Sequence, residues 1–231
     1  MAKNVIGILG GMGPAATADM FRKFIQLTPA HCDQEHIPLL ISSIPDIPDR
    51  TRCILGGGES PAPVMEQYVK QLEEAGASCI VIACNTAHYW FEDLKTKSKV
   101  EMLSMIEATV NEVVQSGKQR IGLLATDATL ATELYKNRLE AQGLTFIRPT
   151  EEGQKAVMES IYLLKSGEVE KSVALMLKQR DELIRLGAES IILGCTEVPI
   201  ILAKEIEKAP HLYVDSTLAL VRAAIHWYQT H

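Results

Sequence analysis

Two stretches of this chain match in chemical type, position by position. Gly76-Ala77-Ser78-Cys79-Ile80-Val81-Ile82-Ala83-Cys84 and Gly187-Ala188-Glu189-Ser190-Ile191-Ile192-Leu193-Gly194-Cys195 each run Gly-Ala, two spacers, three large aliphatics, a small residue and a cysteine. A weaker echo pairs Lys3-Asn4-Val5-Ile6-Gly7-Ile8-Leu9 with Lys118-Gln119-Arg120-Ile121-Gly122-Leu123-Leu124. Short aliphatic runs without alternation are the signature of parallel strands buried on both faces. Such runs are predicted at Val5–Leu9, Leu39–Ser43, Cys79–Ala83, Ile121–Ala125, Phe146–Arg148, Ile191–Gly194 and Leu212–Val214. Helical periods fill the gaps: Pro14–Leu27, a helix opened by Ser60 as cap and Pro61 at its first position, Glu151–Lys165, Glu168–Leu186 and Ser216–Tyr228. Strands alternating with helices specify an α/β fold with parallel sheets. The repeat predicts that this fold comes as two similar halves. The predicted division puts residues 1–106, joined by 212–231, in a first domain and 107–211 in a second.

Composition narrows the function classes. With 23 basic and 29 acidic residues among 231 the net charge is −6, and the charges are scattered, so no basic face is set aside for nucleic acid. No apolar stretch approaches the roughly 20 residues that cross a bilayer. The apolar run after Met1-Ala2-Lys3-Asn4 is too short for a secretory core, so the expectation is a cytoplasmic protein without a membrane partner. Five cysteines (Cys32, Cys53, Cys79, Cys84 and Cys195) without a C-x-x-C pair then read as reduced thiols, with no structural metal expected.

Cys84 and Cys195 stand apart because the repeat puts both at the carboxyl end of a strand, where open parallel sheets bind ligands. Each is followed by polar residues and a predicted helix start: Asn85-Thr86-Ala87-His88 and Thr196-Glu197-Val198-Pro199. A helix start lowers a thiol's pKa, so depressed values are expected for both. Two thiols flanking one carbon supply a base on one face and an acid on the other. Contact from each side would set the sulfurs roughly 6–7 Å apart, too far for a disulfide. The rival is that strand-end cysteines are small buried hydrophobes, which is the reading taken for Cys32, Cys53 and Cys79.

Ala83-Cys84-Asn85-Thr86-Ala87-His88 and Gly194-Cys195-Thr196-Glu197-Val198-Pro199 resemble the paired signatures of the aspartate/glutamate racemase family. Gly10-Gly11-Met12-Gly13-Pro14, Ile47-Pro48-Asp49-Arg50-Thr51 and Leu123-Leu124-Ala125-Thr126 are also similar to that family, and to its aspartate racemases in particular. The resemblance spans nearly the whole chain. It implies two α/β domains related by a pseudo-two-fold with the active site between them, commonly in a homodimer. It implies an isomerase of free amino acids that uses no cofactor, neither pyridoxal phosphate nor metal, with Cys84 and Cys195 as the two acid/base residues. By the same resemblance Cys195 serves the L-enantiomer and Cys84 the D-enantiomer. The glutamate branch carries Asp-Ser after the first strand and histidine after the second Cys-Thr. Gly10-Gly11 and Glu197 stand there in this chain, which argues against glutamate as the only substrate.

The resemblance implies that Arg50 and Lys165 hold the substrate's side-chain carboxylate, as two cations placed for an acidic group would. It also makes Thr126 a substrate contact. Met12 and Gly13 bring backbone close to a small carboxylate. Asn85, Thr86 and Thr196 suit a carboxylate or serve as helix caps. Glu197 tunes Cys195, orients the substrate ammonium, or is an ordinary acid at a helix start. His88 reads as structural. Two alternatives stay open. One is a related racemase or isomerase acting on hydantoins or maleate. The other is a dinucleotide or small-ligand binding domain, since Gly11-Met12-Gly13-Pro14-Ala15-Ala16 fits G-x-G-x-x-A, with Asp33 or Glu35 as the acidic partner.

Overall fold

The computed structural model describes residues 4–231, so Lys3, which opens the weaker repeat, lies outside the described residues. The chain enters as strand β1 (Ile6–Gly10) and helix α1 (Pro14–Leu27), followed by β2 (Leu39–Ser43), α2 (Arg50–Leu55), α3 (Ala62–Glu74), β3 (Cys79–Ile82), α4 (Phe91–Lys97) and β4 (Glu101–Leu103). After α5 (Met105–Gln115) the pattern restarts with β5 (Arg120–Ala125), α6 (Asp127–Ala131), α7 (Lys136–Ala141), β6 (Thr145–Ile147), α8 (Glu151–Lys165) and α9 (Val169–Arg185). It closes with β7 (Ser190–Gly194), α10 (Val198–Ile201), α11 (Ala203–Lys208), β8 (Tyr213–Asp215) and α12 (Ser216–Thr230). The strands form two four-stranded parallel sheets, ordered β2-β1-β3-β4 and β6-β5-β7-β8. The second order is the first with each strand replaced by its counterpart. The two-half α/β architecture predicted from the repeat is therefore what the chain forms.

Compactness divides the chain after Ala108 and again after Ser216. Thr109–Ser216 makes the second unit, and Thr217–His231 returns to the first. The predicted return began at residue 212. In the structure Tyr213–Asp215 instead pairs with β7 as the edge of the second sheet, in register Ile191↔Tyr213 to Leu193↔Asp215.

In the first unit, strand alternation sorts the apolar side chains to two faces. Ile6, Ile8, Cys79 and Val81 pack with Met20 and Phe24 of α1 and with Leu220, Val221 and Ala224 of α12. Leu9, Ile80 and Ile82 pack on the other face with Met65, Val69 and Leu72 of α3. In the second unit Leu124, Ile191 and Leu193 meet Val157 and Ile161 of α8 and Met176 and Leu183 of α9. Each Val, Leu, Ile, Phe or Met side chain among these contributes about 1.5–3 kcal/mol of burial, which is what holds the helices on the sheets. Among the described residues no helix is long and apolar enough to cross a membrane.

Two local readings change. α3 begins one residue later than predicted. That helix starts at Ala62 behind Pro61, which makes no side-chain cap bond, and the Ser60 hydroxyl accepts from the Ala62 amide at 3.3 Å. The glycine loop after β1 is explained by packing. Gly11 has φ +90°, and a methyl there would lie 2.1 Å from the Ile44 amide nitrogen, while one on Gly10 would lie 2.4 Å from Thr17 Oγ1. Thr17 fastens the loop by accepting from the Gly11 amide (2.8 Å) and donating to the Gly13 carbonyl (3.1 Å). Asp33 and Glu35 sit in a 3-10 turn ahead of β2 rather than at its carboxyl end, so the acidic partner of a dinucleotide site is misplaced.

Gly11→Ala should therefore cost about 1–3 kcal/mol from the left-handed backbone alone, with the Ile44 clash adding to it. A thermal melt several degrees below that of the native protein is the expected result. Gly57→Ala, where a methyl meets nothing within 4 Å, should lower it less.

Candidate active site

Both units place their candidate residues at one topological position. In orders 2-1-3-4 and 6-5-7-8 the connections leave the two central strands in opposite directions, which opens a crevice at their carboxyl ends. In the first unit that pair is β1 and β3. The loop Gly11-Met12-Gly13 leaves β1, and Cys84, Asn85 and Thr86 follow β3, all three of these buried. In the second unit the pair is β5 and β7. The register ends at Ala125↔Gly194, so Thr126 and Cys195 are the next residues out on adjacent strands.

The first unit gathers Met12, Gly13 and Arg50. Arg50 opens α2, and its guanidinium donates from Nη1 to the Ile47 and Pro48 carbonyls at 3.1 Å each and from Nη2 to the Met12 carbonyl at 3.4 Å. It thereby pins the loop after β2 to the loop after β1. Asp49, just before it, caps α2 by accepting from the Arg52 amide at 2.7 Å.

Cys84 is anchored through its carbonyl. His88 Nδ1 lies 2.8 Å from the Cys84 carbonyl oxygen, and its Nε2 accepts from the Met105 amide at 2.9 Å. Because Nε2 accepts, the proton is on Nδ1, which donates to Cys84. The imidazole is thus neutral and engaged at both nitrogens, and it stacks on Phe91 with ring centroids 5.2 Å apart. This agrees with the structural reading of His88. The segment after Cys84 is a 3-10 turn, Thr86–Trp90, and Asn85 at its start makes no side-chain cap bond.

The second unit joins Cys195, Thr196, Glu197 and Lys165. Cys195 Sγ donates to Glu197 Oε2 at 3.0 Å, Thr196 Oγ1 reaches the same oxygen at 3.3 Å, and Lys165 Nζ lies 3.5 Å from Oε1. Glu197 is the residue before α10, a helix of only four residues, and it makes no side-chain cap bond there. Thr126 caps α6 by accepting from the Thr129 amide at 3.2 Å. Thr126, which the resemblance makes a substrate contact, is thus also a helix cap, whereas Asn85, read as a possible cap, makes no such bond. Sequence reading missed Gln154, which donates to the Ala125 carbonyl (3.0 Å) and to Asp127 Oδ1 (2.7 Å) and so braces the end of β5. A mid-helix glutamine carries no signal of that role.

The expected depression of the thiol pKa is overturned at Cys195. Burial pushes its thiol well up, and the Glu197 carboxylate adds to the rise by charge and by accepting its proton; the Lys165 ammonium opposes this only weakly. A four-residue helix offers little positive potential against a carboxylate in direct contact. The resting residue is a thiol.

Glycine before Cys195, where the first half has Ala83, also has a packing cause. A methyl on Gly194 would lie 2.5 Å from Leu123 Cδ1 and 3.3 Å from the fully buried Tyr135 ring. The repeat thus differs at that position because the Leu123 side chain occupies the space a methyl would take, with Ala125 and the Tyr135 ring close by.

A family model described as Asp/Glu/hydantoin racemase matches residues 9–224. An aspartate racemase from Picrophilus torridus superposes with a TM-score of 0.89 at 31% identity, covering 98% of this chain and 94% of that one. The broad specificity amino-acid racemase RacX of Bacillus subtilis is 28% identical over 228 residues, covering 97% of this chain and 98% of its own. A glutamate racemase from Francisella tularensis, in complex with D-glutamate, shares the fold with a TM-score of 0.72 at 20% identity, covering 99% of this chain and 82% of that one.

Two outcomes follow from the site. Iodoacetamide should label exposed Cys32 far faster than Cys195 at mildly alkaline pH, as read by peptide mass spectrometry, since only thiolate reacts. Comparable rates would contradict the raised thiol. His88→Ala should cost about 2–4 kcal/mol in denaturant unfolding, because it leaves the buried Met105 amide and Cys84 carbonyl without their partner.

Proposed function

Because the chain belongs to the Asp/Glu/hydantoin racemase family, and is thus an isomerase of the racemase type, we propose that it interconverts the enantiomers of an acidic amino acid, aspartate first and glutamate second, without a cofactor. The observation that carries this reading is the duplicated cysteine. Each unit ends its third strand in a buried thiol at the crevice where that fold binds ligands.

In the proposed reaction Cys195 as thiolate takes the α-proton of the L-enantiomer, and Cys84 as thiol returns a proton to the opposite face. The roles reverse for the D-enantiomer. Nothing is oxidised or reduced: a Cα–H bond breaks as an S–H bond forms on one side, and the converse occurs on the other. The carbanion needs its carboxylate held and its charge spread. Backbone amides around Met12 and Gly13, with Asn85, Thr86, Thr126 and Thr196, are the groups assigned to that task. Arg50 and Lys165 are assigned to the side-chain carboxylate, which makes the substrate acidic rather than neutral. The likeness to an aspartate racemase along nearly the full chain supports aspartate. Glu197, where the resembling glutamate branch has histidine, supports the same choice.

L-aspartate incubated with the protein in deuterium oxide should lose its α-proton signal in NMR as D-aspartate accumulates on a chiral column. No exchange with aspartate or glutamate under reducing conditions would sink the reading. Cys84→Ala and Cys195→Ala should each abolish racemisation, and full turnover in either rules out the two-base scheme. Arg50→Ala should raise KM for aspartate roughly tenfold to a hundredfold, the worth of a hydrogen bond to a charged group.

A further inference from the structure

Lys165, Glu197 and Cys195 form an unbroken polar chain within the second unit. The ammonium is 3.5 Å from one carboxylate oxygen, and the other oxygen accepts from the thiol at 3.0 Å. Their burial is unequal. The Glu197 side chain is 4% exposed, whereas that of Lys165 is 40% exposed. One end of the chain can therefore be approached from outside while the other stays dry. Lys165 is also the last residue of α8, ahead of Ser166 and Gly167, and Gly167 has φ +89°. Its ammonium reaches the carboxylate from a helix end rather than from within a packed face.

We propose that Glu197 is the acceptor that takes the proton from Cys195, and that an anionic group drawn to Lys165 is what releases Glu197 to do so. This rests on the racemase reading, in which the substrate's side-chain carboxylate engages Lys165. At rest the ammonium lies against Oε1, and a carboxylate paired with a cation is a poor base. When Lys165 turns to the substrate, Glu197 loses its cation in a buried setting and its affinity for a proton rises. The Cys195 S–H bond then breaks as an O–H bond forms on Glu197 Oε2, leaving the thiolate that the α-proton step needs. That step re-forms the Cys195 S–H bond as the Cα–H bond breaks, and Cys84 gives its own proton to the carbon. On product release Lys165 pairs with Glu197 again, Glu197 gives its proton to solvent, and the Cys84 thiolate takes one from solvent. An amino acid with a neutral side chain leaves Lys165 on Glu197 and Cys195 protonated. Selectivity for acidic substrates then lies in making the base as well as in binding.

The test is the rate of iodoacetamide alkylation of Cys195 in the full chain from neutral to alkaline pH, resolved by peptide mass spectrometry. Lys165→Met imitates the engaged state. The relay predicts that it speeds Cys195 labelling at neutral pH by about tenfold, the effect of removing a cation a few ångströms from a carboxylate. In a Glu197→Gln background, where no carboxylate is present to take the proton, the same substitution should give no gain. A Lys165→Met protein that labels more slowly in the native background overturns the relay, since Lys165 would then act on the thiol only as a nearby cation. An equal gain in both backgrounds also overturns it. Aspartate exchange by the native protein in deuterium oxide separates the two readings. Exchange without the labelling pattern removes the relay and leaves the racemase. The labelling pattern without exchange leaves the thiol relay and removes its assignment to an acidic substrate.

Discussion

The pairing of the two central strands in each sheet is the constraint on which the rest of the molecule depends. β1 with β3, and β5 with β7, are parallel, buried on both faces, and held by continuous ladders. A parallel ladder sends both chains out at the same end, so the two loops that leave it must emerge side by side. In one unit this joins the Gly11-Met12-Gly13 turn to Cys84. In the other it puts Thr126 beside Cys195. The candidate site residues are thus set by a register of main-chain hydrogen bonds, with side-chain packing acting at second hand.

Around that frame the loops are tied down in different ways. The first unit uses main chain and cation: Arg50 spans three carbonyls, and a glycine lets one loop lie against the Ile44 backbone. The second uses side-chain amides and hydroxyls, with Gln154 on the end of β5 and Thr126 on α6. Duplication preserved the strand order and both thiols, whereas the bracing diverged. Glu197 is the sharpest divergence. A carboxylate is placed directly on one thiol, while the other thiol's main chain is held by a neutral imidazole.

Much of this was legible in sequence because the strands are pure aliphatic runs. Ile80-Val81-Ile82 and Ile191-Ile192-Leu193 declare themselves, as do α1 and α8 by their periods. β4 was not legible: it is three residues long with Met102 as its one buried apolar side chain, too little for a pattern to register. The same holds for α6, α7 and α10, which are shorter than two turns. At the site, residue types and strand ends could be read, but partners could not. The direction of the Cys195 thiol pKa was misjudged because a helix start is visible in sequence, whereas burial and a carboxylate folding back onto the sulfur are not. Gln154 was missed for the same reason, since a side-chain brace across the fold leaves no local mark.

The return of the chain after Ser216 sets an order of events. The second unit is one unbroken segment, Thr109–Ser216, inserted in the first. During synthesis its whole complement of strands is made before the ribosome has finished the first unit. Until Leu220, Val221 and Ala224 are added, the face of the first sheet carrying Ile6, Ile8, Cys79 and Val81 lacks part of its cover. The unit that starts first is therefore the last to be completed, and a chain released short of α12 carries the whole sequence of the second unit and, in the first, an apolar sheet open to chaperones or to aggregation.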